Sequence, residues 1–340
     1  MNENSNNRRR ALKLLSAAPV LAAAGGFPGF SWGQAPIKVK CGYIHTIAVD
    51  GQIWAGDHIG AWKKEGLDME FIKFDSGLAI FQAMVSGSID MLSVGAFISN
   101  FPANGQGKAF LINSIEYATA QLWVRTDQNV NGFADLKGKK ISTAIGSTAD
   151  VFLRRALSAN GIDPAKDVEI VNQRMPDAVA SFVAGAVPAV ALWVPFNLTV
   201  AKNVPGAKML VDASAYYPQA AIIGGWVASN EFYEKRQDVI RRVVRAWIAA
   251  NDYLVSRPDE VLVPIQAKQY ADVPLDSLRS MYRASKVFPS KEWVTLYRDG
   301  TVHKWLNQVT NFYVGIGAIK QPVSAEKYFD TKPYLELAAS

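Results

Sequence analysis

The chain has 340 residues, of which 49% are hydrophobic and 19% charged, and its formal net charge is +6. This length allows two α/β domains of ordinary size, and the composition is typical of a globular protein. Half of the excess charge lies before residue 36 and no basic cluster follows, so no nucleic-acid partner is expected. A single cysteine excludes an intramolecular disulfide. Three scattered histidines form no zinc motif, so neither a metal nor a cofactor is expected.

Residues 1–35 have the composition of an export signal. The basic segment 8–13, RRRALK, precedes a modestly apolar stretch from 14 to 26, which is too short for a permanent membrane anchor. The segment resembles a twin-arginine signal, with Ala11 where phenylalanine is usual. We therefore expect export to the periplasm and removal of this segment, with cleavage after Gly33 or Ala35.

Apolar segments alternate with helical patterns along the next two hundred residues. Strands are expected at 38–42, 67–74, 89–94, 109–115, 121–125, 141–144, 168–171, 189–193, 208–211 and 222–227. Helices are expected at 52–65 (capped by Asp50), 78–85, 96–104, 195–202, 231–256, 258–270, 275–282 and 291–314. This alternation predicts βαβ units and mainly parallel sheets, followed by a helical C-terminal segment.

Three of the strand–helix junctions carry small and hydroxyl residues. Residues 141–157 predict a strand, a tight turn and a helix capped by Ser147 or Thr148. Residues 71–85 repeat this arrangement around a Ser-Gly pair, and residues 91–97 form a third junction. Free N–H groups and hydroxyls at helix N-termini bind small anions. Three such junctions around one cleft would form an anion site.

Six short motifs within residues 36–320 resemble those of one protein family. They are GAWKKEGLD (60–68), KFDSG (73–77), SGSIDMLSVG (86–95), DLKGKKI (135–141), GSTA (146–149) and WVP (193–195). The sequence resembles the nitrate/sulfonate/taurine-binding family, the periplasmic substrate-binding proteins of ABC importers. The resemblance implies an α/β, two-lobed type II periplasmic-binding fold with two mainly parallel sheets and a hinge. Lobe 1 is expected at 36–123 plus 229–340, and lobe 2 at 124–228.

The resemblance also implies which residues line a cleft between the lobes. The expected donors and floor are Ser76, Gly77, Gly95, Ala96, Ser147, Thr148 and Ala149, and Trp193 would pack on the ligand body. Further aromatic and imidazole side chains near the junctions complete the predicted site: Tyr43, His45, Trp54, Phe97, Tyr117 and Tyr217. Three or four rings in the cleft would favour an organic anion over nitrate.

The expected function is capture of a small organic anion, an alkyl or aryl sulfonate or a taurine-like compound, by a monomer. The protein would deliver this ligand to an ABC permease and its ATPase, without enzymatic activity. The absence of an acid at 118–121 argues against taurine itself, although Glu116 and Asp150 lie nearby. One alternative is a desulfinase-like enzyme with Cys41 as nucleophile. Another is a sensor that binds nitrate or a carboxylate.

Overall fold

The computed structural model describes residues 35–338. The predicted export signal therefore lies, except for its last residue, outside the described part of the chain. Within residues 35–338, no helix combines the length and apolar character that crossing a membrane requires.

In this part of the chain, ten strands form two separate five-stranded sheets. The strands are β1 (Ile37–Ile44), β2 (Leu67–Phe74), β3 (Met91–Val94), β4 (Lys108–Ile115), β5 (Ala120–Arg125), β6 (Lys140–Thr143), β7 (Glu169–Asn172), β8 (Ala189–Trp193), β9 (Ala207–Asp212) and β10 (Ile223–Ala228). The first sheet has the order β2-β1-β3-β10-β4, and the second has the order β7-β6-β8-β5-β9. We call the half of the chain built on the first sheet lobe 1 and the other half lobe 2.

Helices cover both sheets, and most of the later ones belong to lobe 1. They are α1 (Ile47–His58), α2 (Ala61–Lys64), α3 (Gly77–Val85), α4 (Asn100–Ala103), α5 (Thr148–Ala159), α6 (Met175–Val183), α7 (Phe196–Asn203), α8 (Asn230–Lys235), α9 (Gln237–Ser256), α10 (Pro258–Gln269), α11 (Leu275–Ala284), α12 (Ser290–Arg298), α13 (Thr301–Gly315), α14 (Ala325–Tyr328) and α15 (Lys332–Ala338).

The predicted fold class is confirmed, because both sheets are mainly parallel and are covered by helices. In lobe 1 the strand β10 runs antiparallel to both of its neighbours, β3 and β4. In lobe 2 the strand β5 runs antiparallel to β8 and β9. The other four strands of each sheet share one direction. Each antiparallel strand directly follows a crossing from the other lobe, so the crossings explain the mixed character of the sheets.

Sheet membership corrects the lobe boundaries expected from the sequence. The strand β5 pairs only within the second sheet, and β10 pairs only within the first. Boundaries at 123/124 and 228/229 would cut β5 and assign β10 to the wrong lobe. The two connections between the sheets are residues 116–119 and 213–222. A strand has the same residue pattern in either sheet, so the pattern did not reveal where the chain crosses.

Several helix boundaries also differ from the expected ones. Asp50 lies inside α1, which begins after Thr46, and is fully buried. The single helix expected at 291–314 is broken at Gly300, which has φ +82°, a conformation that glycine adopts without strain. The helix expected at 231–256 is likewise two helices, with Arg236 at the break.

The long helix α9 anchors the C-terminal segment on lobe 1. It buries the stripe of residues predicted from its helical spacing: Val239, Val243, Ala246, Trp247, Ala250 and Leu254. Burial of such side chains contributes roughly 1.5–3 kcal/mol each. The apolar core of lobe 1 therefore extends from the sheet through α1 to α9, and it fixes the position of the strand ends that carry the site.

Candidate ligand-binding cleft

The three strand–helix junctions meet at one small cavity between the lobes. Eight of the fourteen predicted site residues line it: Ser76, Gly77, Gly95, Ala96, Phe97, Ser147, Thr148 and Trp193. Five residues that were not predicted complete the wall, namely Ile44, Thr46, Val49, Val94 and Glu116. Both lobes contribute to this lining, so the cavity is the floor of an interlobe cleft.

The first junction places the N-terminus of α3 on the lobe 1 side. Ser76 has extended backbone, and its Oγ accepts a hydrogen bond from the Ala79 N–H at 3.2 Å. This is the expected N-cap arrangement. The N–H groups of Gly77 and Leu78, at the start of the helix, have no acceptor within the helix. They are available to an anion beside the cleft.

The second junction places the N-terminus of α5 on the lobe 2 side. Ser147 occupies the N-cap position, as predicted, but its side chain makes no cap hydrogen bond. Its Oγ is buried and has no hydrogen-bond partner. A buried hydroxyl without a partner costs about 1–3 kcal/mol. A ligand oxygen in the cleft would satisfy it.

The third junction brings the lobes into direct contact through Thr148. Here β3 leads through Gly95 into a 3₁₀ turn, Ala96–Ser99, rather than the α-helix expected from residue 96. Thr148 Oγ1 accepts from the Ala96 N–H at 3.2 Å and donates to Glu116 Oε1 at 3.1 Å. One hydroxyl therefore connects lobe 1, lobe 2 and the first connection between the sheets.

Glu116 is the main residue of the cleft that the sequence did not assign. Its second oxygen accepts from Thr119 Oγ1 at 2.7 Å, and the residue is only 4% exposed. Burial raises the pKa of this carboxyl, while the hydrogen bonds from Thr119 and Thr148 lower it by less. Its position directly after β4 could have identified Glu116 as a cleft residue from the sequence, because the ends of the strands lie at the cleft.

Two glycines allow the close packing around the cleft. A Cβ atom on Gly95 would lie 2.5 Å from Glu116 Oε1 and 2.6 Å from Thr148 Oγ1. A Cβ atom on Gly77 would lie 2.2 Å from the Phe97 ring. Real Cβ atoms do not approach other atoms so closely, so a side chain at either position would push the walls apart.

The cleft is closed in this structure. Its cavity measures about 30 Å³, enough for about one water molecule. Thr46 Oγ1 donates to the Val194 carbonyl at 3.1 Å across the lobes. Phe97, whose ring would contact a side chain on Gly77, also lies against Gly146 of lobe 2. A ligand larger than a few atoms requires the lobes to separate.

Six of the predicted site residues do not line this cavity. Tyr43 and Trp54 pack edge to face in the core of lobe 1, with ring centroids 5.3 Å apart. Ala149 is fully buried in the core of lobe 2. Tyr117 and Tyr217 line a different cavity on the connections between the sheets. Proximity to a junction in sequence did not show on which side of the strand each ring lies.

His45, the sixth of these residues, belongs to a polar cluster near the end of β1. Its Nδ1 lies 2.7 Å from Asp50 Oδ2, and its ring stacks on Tyr270 with centroids 4.2 Å apart. Tyr270 OH donates to Asp50 Oδ1 at 2.6 Å. Asp50, which is fully buried, therefore holds both neighbours instead of capping a helix. This cluster supports the loop 45–46 that precedes α1.

Cys41 is a core residue of β1. It has no exposed surface, and burial raises the pKa of its thiol well above the ordinary value. Reactive cysteines need an exposed, positive environment that stabilises the thiolate. The alternative in which Cys41 acts as an enzyme nucleophile therefore has no support from this geometry.

Comparison with known proteins identifies the family. The family described as NMT1/THI5 like matches residues 52–261, more than half of the chain. The chain belongs to this NMT1/THI5-like family. A binding protein of Brucella abortus is 29% identical over 293 residues, which cover 86% of this chain and 90% of that protein. The taurine-binding periplasmic protein of Escherichia coli is 29% identical over 248 residues, covering 72% and 74%.

Solved structures share the fold at low sequence identity. The alkanesulfonate-binding protein of Xanthomonas axonopodis bound to MOPS superimposes with a TM-score of 0.71 at 18% identity, covering 88% of this chain and 99% of that one. The nitrate-binding protein of Synechocystis gives 0.71 at 15% identity, covering 89% of each chain. A desulfurization enzyme gives 0.65 at 16% identity, covering 89% and 99%. The resemblance inferred from the six sequence motifs is thereby confirmed, and the matched proteins are mainly binding proteins rather than enzymes.

Proposed function

We propose that this member of the NMT1/THI5-like family is an exported solute-binding protein. It captures a small organic anion, an alkyl or aryl sulfonate or a taurine-like compound, in the cleft between its lobes. It then delivers the ligand to an ABC permease and its ATPase in the membrane. The names of the matched taurine-binding and sulfonate-binding proteins support this ligand class.

One observation carries the proposal: two helix N-termini from different lobes face the same cavity, and a buried hydroxyl there has no partner. Ser147 Oγ is that hydroxyl, and Gly77 and Thr148, the first residues of α3 and α5, line the same cavity. A sulfonate offers three oxygens, so it accepts hydrogen bonds from both helices at once. Each such charge-assisted bond is worth roughly 1.5–3 kcal/mol net. Three or four of them, less the cost of association, give a Kd of about 1 μM.

The side chains that line the cavity are consistent with recognition of an anion by uncharged hydrogen-bond donors. No lysine or arginine among the described residues lines this cavity, and Glu116 is its one ionisable group. Helix N-termini supply positive potential without a charged side chain. Trp193 and Phe97 offer ring surface for the organic part of the ligand. A bare nitrate ion would leave this surface without a partner.

Transport requires that the lobes open to admit the ligand and close around it. The two connections between the sheets, 116–119 and 213–222, form the hinge in this proposal. Closure excludes water and strengthens the hydrogen bonds to the anion. The few direct bonds across the cleft, from Thr46 and Thr148, favour a closed form that a ligand would stabilise further. A monomer is sufficient for this cycle.

The first test measures ligand binding by thermal shift and calorimetry with sulfonates, carboxylates, nitrate and pyrimidines. We expect alkyl or aryl sulfonates to stabilise the protein, and Ser147→Ala to weaken their binding about tenfold by removing one hydrogen bond. Ser280→Ala, an exposed serine on α11, is the matched control and should bind like the wild type. Stabilisation by cationic or neutral compounds alone would contradict the proposal.

The second test separates transport from sensing. A strain that lacks the gene should lose growth on the bound sulfonate as sole sulfur source. The wild-type gene should restore growth, and Ser147→Ala should restore it only at higher ligand concentration. Unimpaired growth of the deletion strain, with a binding-competent purified protein, would argue for a sensor instead.

A further inference from the structure

A second and larger cavity lies on the connections between the sheets. Its volume is about 410 Å³, compared with about 30 Å³ for the cleft. Its walls come from the end of β4 and both connections, at residues 115–117 and 219–222, and from helices α5 and α13. Among the described residues, Glu116 is the one that lines both cavities. Its carboxyl group is held by Thr119 and Thr148, and Thr148 itself lines the cleft cavity.

The base of this cavity is apolar and aromatic. Phe152 and Tyr216 lie with ring centroids 6.2 Å apart, and Tyr117 and Tyr217 meet edge to face at 5.4 Å. Phe312 of α13 adds a further ring to the wall. Rings in these arrangements favour an aromatic guest, because edge-to-face and offset contacts stabilise such pairs.

Positive charge lies at the edge of the cavity. Arg155 is exposed there, and it forms no ion pair with any carboxylate of the described residues. The neighbouring Arg154 is paired with Asp150 at 2.9 Å. Lys286 Nζ lies 4.5 Å from the centre of the Tyr117 ring and 5.2 Å from that of Tyr217. An anionic group would therefore find a free partner in Arg155.

The amide of Gln308 supplies a hydrogen-bond acceptor in the same wall. Its Nε2 donates to the Gln219 carbonyl at 2.8 Å, which fixes the orientation of the amide. Its Oε1 is buried and has no hydrogen-bond partner. A buried acceptor in this state favours a guest that carries a hydroxyl or N–H donor.

From these three features we propose that the cavity is a second ligand site, distinct from the cleft, for a small aromatic acid with a hydroxyl or N–H donor. The ring occupies the aromatic base, the carboxylate pairs with Arg155, and the donor binds Gln308 Oε1. The cavity lies within the size range of small-molecule sites, which is about 300–1,000 Å³.

Three small probes test this recognition in the full chain by calorimetry and ligand-observed NMR. The probe 4-hydroxyphenylacetate has the ring, the anion and the donor, and it should bind saturably with a Kd below about 1 mM. Phenylacetate lacks the donor and should bind about threefold more weakly or worse. Tyramine replaces the anion by a cation and should not bind.

Charge-reversal variants locate the probe. Arg155→Glu should weaken 4-hydroxyphenylacetate about tenfold or more. Arg298→Glu makes the same change of charge at an exposed arginine of α12 outside both cavities and should leave the affinity within about twofold. Ser147→Ala changes only the cleft and should leave binding of this probe unchanged.

Several results would overturn the proposal. They are the absence of saturable binding up to about 10 mM, equal effects of the two charge reversals, and loss of probe binding in Ser147→Ala. The last result would assign the probe to the cleft. The sulfonate experiments with the cleft variants are independent of this outcome, so failure here leaves the proposed transport function intact.

Discussion

Thr148 and Glu116 meet at the floor of the cleft, where Thr148 Oγ1 donates to Glu116 Oε1 at 3.1 Å. The same oxygen of Thr148 accepts from the Ala96 N–H of the opposite lobe at 3.2 Å. A buried acid therefore lies directly beside the helix N-terminus proposed to hold an anion. If the cleft holds an anion as proposed, we expect Glu116 to influence which anions it accepts.

Glu116→Gln should change ligand selectivity. The buried carboxylate attracts an ammonium group and repels a second negative charge, whereas the amide does neither. Relative to the wild type, the variant should bind taurine more weakly and ethanesulfonate more tightly. The ratio of the two Kd values, measured by calorimetry, should shift by about tenfold or more, which corresponds to about 1.4 kcal/mol. An unchanged ratio of the two Kd values would show that Glu116 does not take part in ligand recognition.

The same residue should make stability depend on pH. Burial raises the pKa of Glu116 in the folded protein above its ordinary value of 4.5. The folded state then holds this proton more tightly than the unfolded chain. The contribution of Glu116 to the free energy of unfolding is therefore largest below about pH 4.5. It decreases as pH rises through the pKa of the folded state.

Urea unfolding of wild type and Glu116→Gln across pH 4–8 checks this sign. The stability of the variant relative to wild type should increase as pH rises through that window and then level off, because the amide carries no charge to bury. Titrating groups elsewhere cancel in the difference. A difference that stays constant over the whole range would contradict the assignment.

Gly95→Ala should hold the cleft open. The added Cβ atom would lie 2.5 Å from Glu116 Oε1 and 2.6 Å from Thr148 Oγ1, so the closed contacts could not form without displacement. We expect ligand affinity to fall by about tenfold or more, and small-angle scattering to show a larger radius of gyration. Gly132→Ala is the matched control, because a Cβ atom on Gly132 would have no other atom within 4 Å; it should bind normally.

Cys41 should resist alkylation while the protein is folded. The thiol is fully buried and its pKa is raised by that burial, so little thiolate is present and reagents cannot reach it. Iodoacetamide labelling followed by mass spectrometry should be slow in buffer and fast in urea. Rapid labelling of the folded protein, together with release of sulfite from a sulfinate, would instead support the desulfinase alternative.

Part of this site could be predicted from the sequence, because it depends on local chemistry. Ser76 and Ser147 stand at strand–helix junctions, and capping preferences and small residues at such junctions depend only on a few neighbours in the chain. The same local logic predicted the buried stripe of α9. Family motifs then ordered these junctions into a two-lobed fold.

Contacts that depend on where the chain crosses between the two sheets could not be predicted in this way. Glu116, Tyr117 and Tyr217 lie on the connections between the sheets, and Tyr117 and Tyr217 line the second cavity instead of the cleft. Asp50 has the sequence position of a helix cap but is buried between His45 and Tyr270.

The sequence by itself determined the elements, their order and the donors at their ends, because these depend on residues close together in the chain. Only the tertiary structure decided which side chains share a cavity. That outcome depends on the pairing of β5 with β8 and β9 in the second sheet, and of β10 with β3 and β4 in the first. Contacts across such crossings join residues far apart in sequence, for which no local pattern exists.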